Sequence, residues 1–174
     1  MERITVDSRL DTAFKYDIAQ RPGGENIKKC FACGTCTAGC PAFHADHEYN
    51  PRKIIRMILL GMREEVLRSS AIWLCHQCYA CSANCPQDVD FSHIMMAIRE
   101  IAVETGYHPK DRLEKVEEIT LLANEFRRDC IKILTGDGDL ADDAILEHAR
   151  NTVQVARGIR PAAVSPPAAE TLND

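Results

Sequence analysis

The sequence contains no long hydrophobic run and no excess of cations. Its longest apolar stretch, Ile54 to Met62, is interrupted by Arg56 and falls far short of the roughly 20 residues a membrane-spanning helix needs. The opening residues, MERITVDSRLD, carry an acid at position 2 and no apolar segment of the kind that directs export. The expected location is therefore cytoplasmic. A net charge of −5 argues against nucleic acid as the main partner, because a DNA-binding surface needs clustered cations to displace counterions. There is no G-x-G-x-x-G fingerprint for a dinucleotide. Alternating β patterns are nearly absent, with Arg3 to Val6 the one weak strand candidate.

What the chain does have is cysteine in register. Cys30, Cys33, Cys36 and Cys40 form a C-x2-C-x2-C-x3-C run closed by Pro41, and Cys75, Cys78, Cys81 and Cys85 repeat it, closed by Pro86. In two-cluster proteins with this spacing, three thiolates of a run hold one 4Fe-4S cubane and the fourth goes to the other cluster. The expected ligands are Cys30, Cys33, Cys36 and Cys85 for one cluster, and Cys75, Cys78, Cys81 and Cys40 for the other. A proline after the donated cysteine keeps that cysteine extended and carries the chain away from the site. Gly34 and Gly39, without a Cβ, can take positive φ or let backbone N–H groups approach the cluster sulfurs.

Other uses of these thiols fit less well. A disulfide framework suits short secreted chains, whereas this one has 174 residues and an odd total of nine cysteines. Zinc sites pair two cysteines in one knuckle, so each run holds a thiolate more than a knuckle uses. The ninth cysteine, Cys130, falls on an expected helix and reads as an inert core thiol.

The remaining pattern is helical. Asn50 and Pro51 suit an N-cap and a first helical position, and Ile54, Ile55, Ile58, Met62 and Val66 recur at helical spacing, so one helix is expected over 51–68. A second is expected from Phe91 to Thr105 with Gly106 beyond its end, a third from Pro109 to Leu134, and a fourth from a cap at Asp139 to Arg157. The proline-rich tail from residue 158 reads as disordered or as an extended arm. Residues 1–27 form an N-terminal docking segment in this scheme, 28–108 the two-cluster core and 109–157 the C-terminal helices.

Charge is uneven. Residues 1–70 hold eleven Lys and Arg against nine Asp and Glu, and residues 71–174 hold ten against seventeen. Such asymmetry suits solvated faces, or two ends that dock different proteins of an assembly.

The segments CFACGTCTAGCP, NPRKIIRMILLG and WLCHQCYACSANCPQDVDF, with the later Arg99-x2-Ala102-x3-Gly106, resemble the C subunit of heterodisulfide reductase, of the helical-ferredoxin group, over about residues 28–108. The same core is similar to the iron-sulfur subunits of succinate dehydrogenase and fumarate reductase and to the cluster domains of glycolate oxidase. The resemblance implies a mostly α fold in which loops between helices hold two 4Fe-4S clusters. It further implies an electron-transfer role: electrons arrive from a flavin- and cluster-containing subunit and pass to a disulfide-reducing catalytic subunit of a heterodisulfide reductase complex. In such a complex the chain is a relay without catalytic residues of its own. A cluster-based sensor is the contrasting class, for which a DNA-binding helix pair or basic patch should be visible, and neither is.

Residues beside the clusters are expected to tune them. Phe31, Ala32, Gly34 and Thr35 flank the first run, and His76, Gln77, Tyr79, Ser82 and Asn84 the second. The larger number of polar donors around the second run points to a higher potential there. Trp73 is expected to seal one side of the second cluster.

Overall fold

The computed structural model describes residues 10–135 and 147–154, and all regular structure among them is helical. The chain divides into two units between Leu113 and Glu114.

The first unit is built from short helices joined by tight loops. Helix α1, Phe14–Ala19, buries Phe14 and Ile18, so residues ahead of the first cysteine run belong to the same core as those that follow it. Helices α2, Thr35–Ala38, and α3, Pro41–Ala45, lie within and just after the first run. Helix α4, Pro51–Leu60, begins as expected: the Asn50 side chain accepts a hydrogen bond from the Lys53 N–H at 3.0 Å, and Pro51 occupies the first turn. Its buried face is Pro51, Ile54, Ile55 and Ile58, while Arg52, Lys53 and Arg56 face solvent.

The single helix expected over 51–68 is two. α4 ends at Leu60, and α5 runs over Arg63–Arg68. Gly61 sits at φ +82°, and its carbonyl accepts from the Asp11 N–H at 2.7 Å. A Cβ at position 61 would lie 2.5 Å from the Asp11 carbonyl oxygen. The break is thus imposed by the approach of the N-terminal segment, which the apolar periodicity of 54 to 66 does not record. Gly61→Ala is expected to destabilise the unit by about 1–3 kcal/mol through strain and displacement together, read as a lower unfolding midpoint; an unchanged midpoint would mean that the contact with Asp11 is expendable.

Helix α6, Ala80–Ala83, lies in the second run. Helix α7, Phe91–Glu104, forms the centre of the unit. It packs against α1, α5, α6 and the 3-10 turn Ser70–Leu74, and its buried residues include Phe91, Ile94, Met95, Ile98 and Ile101. It closes at Thr105, with Gly106 at φ +79°, as the sequence suggests. Arg21, whose carboxylate partners Glu100 and Glu104 lie near its end, ties the N-terminal segment to it.

Helix α8, Asp111–Thr135, starts two residues after Pro109. Residues 147–154 are helical and overlap the fourth expected helix; within that second unit the His148 ring stacks on Phe126 at 5.3 Å. The strand candidate Arg3 to Val6, the Asp139 cap and the tail from residue 158 lie outside the described residues.

Candidate metal centre

The two cysteine runs fold alike, residue for residue. Cys30 and Cys75 are both extended, at φ −65°, ψ 117° and φ −65°, ψ 123°. Two residues on, Ala32 and Gln77 take φ +59° and +49°, which brings each backbone N–H within 3.4 Å of the sulfur of Cys30 or Cys75 respectively. Gly34 and Tyr79 then take φ +91° and +61° and open the one-turn helices α2 and α6. Both fourth cysteines precede a proline, and α2 packs on α6. The runs therefore stand side by side.

Of the two glycines expected either to take positive φ or to let N–H groups approach the sulfurs, Gly34 takes positive φ and Gly39 lies at φ −92°. The second run has Tyr79 where the first has Gly34. A non-glycine residue there costs about 1–2 kcal/mol, which the second loop bears along with Gln77. Backbone strain of this kind concentrates where the surroundings demand a particular geometry, here the turning of N–H groups toward sulfur.

Two cavities open between the runs. One is lined by Cys30, Cys33, Cys36 and Cys85, with Ile55, Val89 and Phe91 as apolar walls. The other is lined by Cys75, Cys78, Cys81 and Cys40, with Tyr49, His76 and Ser92. Each space thus collects three sulfurs of one run and the fourth of the other. All nine cysteines are free, and the eight of the runs range from exposed Cys33 and Cys78 to buried Cys40. Among the described residues no three His, Cys, Asp or Glu side chains converge to hold a single ion.

The thiols' surroundings set when they can bind metal. Burial pushes Cys81 up to about 11 and raises Cys36 and Cys40, so near neutral pH these stay thiols until a coordinating cation displaces the proton. Cys33 moves the other way, chiefly through the Thr35 hydroxyl 3.3 Å from its sulfur. The donated Cys85 accepts from the Val89 N–H at 3.3 Å. Four thiols around each apolar-walled space fit one 4Fe-4S group apiece.

Two buried residues that touch the second run, Tyr49 in the cavity lining and Arg99 at the Cys75 carbonyl, lie outside the cysteine motifs. Tyr49 is 1% exposed; burial first, and then the Cys75 sulfur that its hydroxyl faces, hold that phenol far above its usual range, so it stays a donor. Arg99 is 2% exposed and bonds the carbonyls of Ile72 and Cys75. Of Ser82 and Asn84, expected to donate toward the cluster, Asn84 bonds elsewhere, to the Ala80 carbonyl at 2.9 Å, while Ser82 bonds Asp90 and Ser92 and also the Cys81 thiol. Trp73 does not line the cavity. It lies between the guanidinium groups of Arg99 and Arg112, 5.6 and 5.4 Å from its ring. Cys130 is partly buried on α8, and Cys130→Ser is expected to leave the iron content unchanged; loss of iron would give it a role in cluster binding.

Residues 26–89 match the family model of the 4Fe-4S dicluster domain. The chain is 33% identical over 106 residues to the C subunit of the H(2):CoB-CoM heterodisulfide,ferredoxin reductase of Methanothermobacter thermautotrophicus, a match covering 61% of this chain and 56% of that protein. It is 43% identical over 82 residues to the second iron-sulfur C subunit of the CoB--CoM heterodisulfide reductase of Methanocaldococcus jannaschii, covering 47% and 43%. A protein of Archaeoglobus profundus that is itself like the heterodisulfide reductase C subunit is 32% identical over 88 residues, covering 51% and 47%. The chain spans about half the length of the curated relatives it matches.

The protein is a helical ferredoxin-like carrier of two 4Fe-4S clusters. Over about half its length it is similar to the heterodisulfide reductase C subunit. No helix among the described residues is long and apolar enough to cross a membrane.

Proposed function

We propose that this chain relays electrons inside a heterodisulfide-reductase-type complex, from a flavin- and cluster-bearing subunit to a disulfide-reducing catalytic subunit. In this reading Cys30, Cys33, Cys36 and Cys85 hold one cluster, and Cys75, Cys78, Cys81 and Cys40 hold the other. The observation that carries it is the pair of adjoining cavities, each walled by three cysteines of one run and the fourth of the other. When bound, a 4Fe-4S group supplies a one-electron site whose potential follows its hydrogen bonds and exposure.

The chain's own residues do the rest. Cys33 and Cys78 lie at the surface, where an electron can enter or leave near a partner. Ile55, Val89 and Phe91 keep water from the first cavity, and Tyr49 fills the back of the second. Crossed ligation through the α2–α6 contact fixes the two groups close together, which a relay needs. No nucleophile or acid–base pair in this chain is assigned to disulfide cleavage, which falls to the partner.

The test is anaerobic purification of the native complex through a tag on this chain, with flavin analysis and identification of the co-purifying proteins. A flavoprotein together with a disulfide-reducing protein is expected. A succinate- or glycolate-oxidising flavoprotein in their place would contradict the assignment.

A further inference from the structure

We propose that the Arg99 guanidinium is the buried counter-cation of the cluster held at Cys75, and that its charge sets the reduction potential of that cluster above that of the Cys30 cluster. This rests on the ligand assignment given above.

Arg99 projects from the middle of α7 and is 2% exposed, the largest fully buried side chain among the described residues. Its Nε donates to the Ile72 carbonyl at 2.9 Å, and its Nη2 to the Cys75 carbonyl at 3.1 Å. One face lies 5.6 Å from the Trp73 ring centroid. These contacts satisfy part of its hydrogen bonding and offset its charge only in part. Arg21, Arg63, Arg68 and Arg128 all pair with carboxylates, yet among the described residues no carboxylate pairs with Arg99. A guanidinium cannot shed its proton to escape burial, and a buried ion without a partner is strongly disfavoured. Its one contact with the cysteine runs is the bond to the backbone carbonyl of Cys75, the first cysteine of the second run. Burial works against its charged form and lowers its pKa, and the charge of Cys75 opposes that effect. Four thiolates around iron supply the missing anion.

The consequence for potential follows from sign. Reduction adds a negative charge, and a fixed cation close by favours the reduced form. The first cavity also has an arginine, Arg52, but that side chain is exposed and solvent screens it. Arg99 is shielded from solvent, so its field reaches the second site at much fuller strength. This gives the second run its higher potential by a route different from the polar loop side chains, of which Asn84 turns away.

The experiment is a redox titration of the anaerobically prepared holoprotein, followed by electron paramagnetic resonance, for wild type, Arg99→Gln and Arg99→Lys. The two signals are assigned beforehand with Cys33→Ser and Cys78→Ser, and iron is counted in each sample. Gln keeps a donor for a carbonyl and loses the charge; Lys keeps the charge and loses the planar fork. Arg99→Gln should shift the reduction equilibrium of the Cys78-dependent signal about tenfold toward the oxidised form, about 59 mV for one electron, and leave the Cys33-dependent signal in place. Arg99→Lys should retain most of the wild-type value. Should the Gln protein lose the second cluster while the Lys protein keeps it, the charge is still what the site requires. An unchanged potential in Arg99→Gln with full iron, or loss of the second cluster in both variants, would make Arg99 a brace for the Ile72–Cys75 loop and overturn the proposal. Failure of the ligand assignment would look different: the cysteine variants themselves would remove the wrong signals.

Discussion

Cys40→Ala is expected to abolish the cluster that Cys75, Cys78 and Cys81 surround and to spare the one beside it in sequence. Cys40 follows Cys36 by four residues, yet its sulfur lines the second cavity, and its side chain is 8% exposed against that space. Pro41 starts α3 immediately after it, with Cys40 extended at φ −89°, ψ 114°, so the chain leaves the first loop at the residue that crosses over. A cubane that loses one of four thiolates has an open iron in a space otherwise closed, and iron per chain should fall from about eight to about four. Cys85→Ala should produce the mirror result, removing the cluster of Cys30, Cys33 and Cys36. Spectra in which each variant loses the cluster of its own run would contradict the crossed ligation.

The second large effect is expected at Phe91. This ring opens α7, is 1% exposed and forms a wall of the first cavity with Val89 and Ile55. Phe91→Ala removes core contacts at a site hemmed in by helix and loop backbone, where collapse around the void is limited. Such truncations cost about 3–5 kcal/mol, which for a unit of this size lowers the thermal midpoint by about 10 °C or more. The void also opens the first cluster to water and oxygen. Iron should therefore leave to a chelator faster in the variant, with the signal of the Cys30, Cys33 and Cys36 cluster fading before that of the second. An unchanged midpoint, or earlier loss of the second cluster, would remove Phe91 from this role.

How much of this was legible in the sequence depended on the range of the interaction involved. Ligand spacing is local, so the two runs and their closing prolines could be recognised directly. Helix α7 was legible as well, because its apolar rows and the glycine beyond its end lie within one segment. The break at Gly61 was not, since it answers to Asp11, fifty residues earlier in the chain. Positive φ is favoured at glycine, yet Tyr79, Gln77 and Ala32 adopt it and Gly39 does not; the loop's need to turn N–H groups toward sulfur outweighs intrinsic preference.

Tyr49 and Arg99 were the residues that sequence reasoning passed over at the site. Neither belongs to a ligand motif, and Arg99 reaches carbonyls 24 and 27 residues away. The one available signal was an arginine on the apolar face of the stretch IMMAIREIA, in which Glu100 is the other charged residue. A charge at such a position is a poor fit to a core unless something buried answers it. Ser82, beside Cys81, does bond that thiol, but its position in the sequence does not tell that Asp90 also takes its hydroxyl, together with the Ser92 hydroxyl and the His93 ring. Burial works against ionisation of the Asp90 carboxyl, and these hydrogen bonds more than offset it and hold that group below its usual range.

Determination of iron and acid-labile sulfide in the anaerobically prepared protein tests the account most directly. Two complete cubanes predict about eight iron and about eight sulfide per chain, whereas two zinc ions with no sulfide would contradict it.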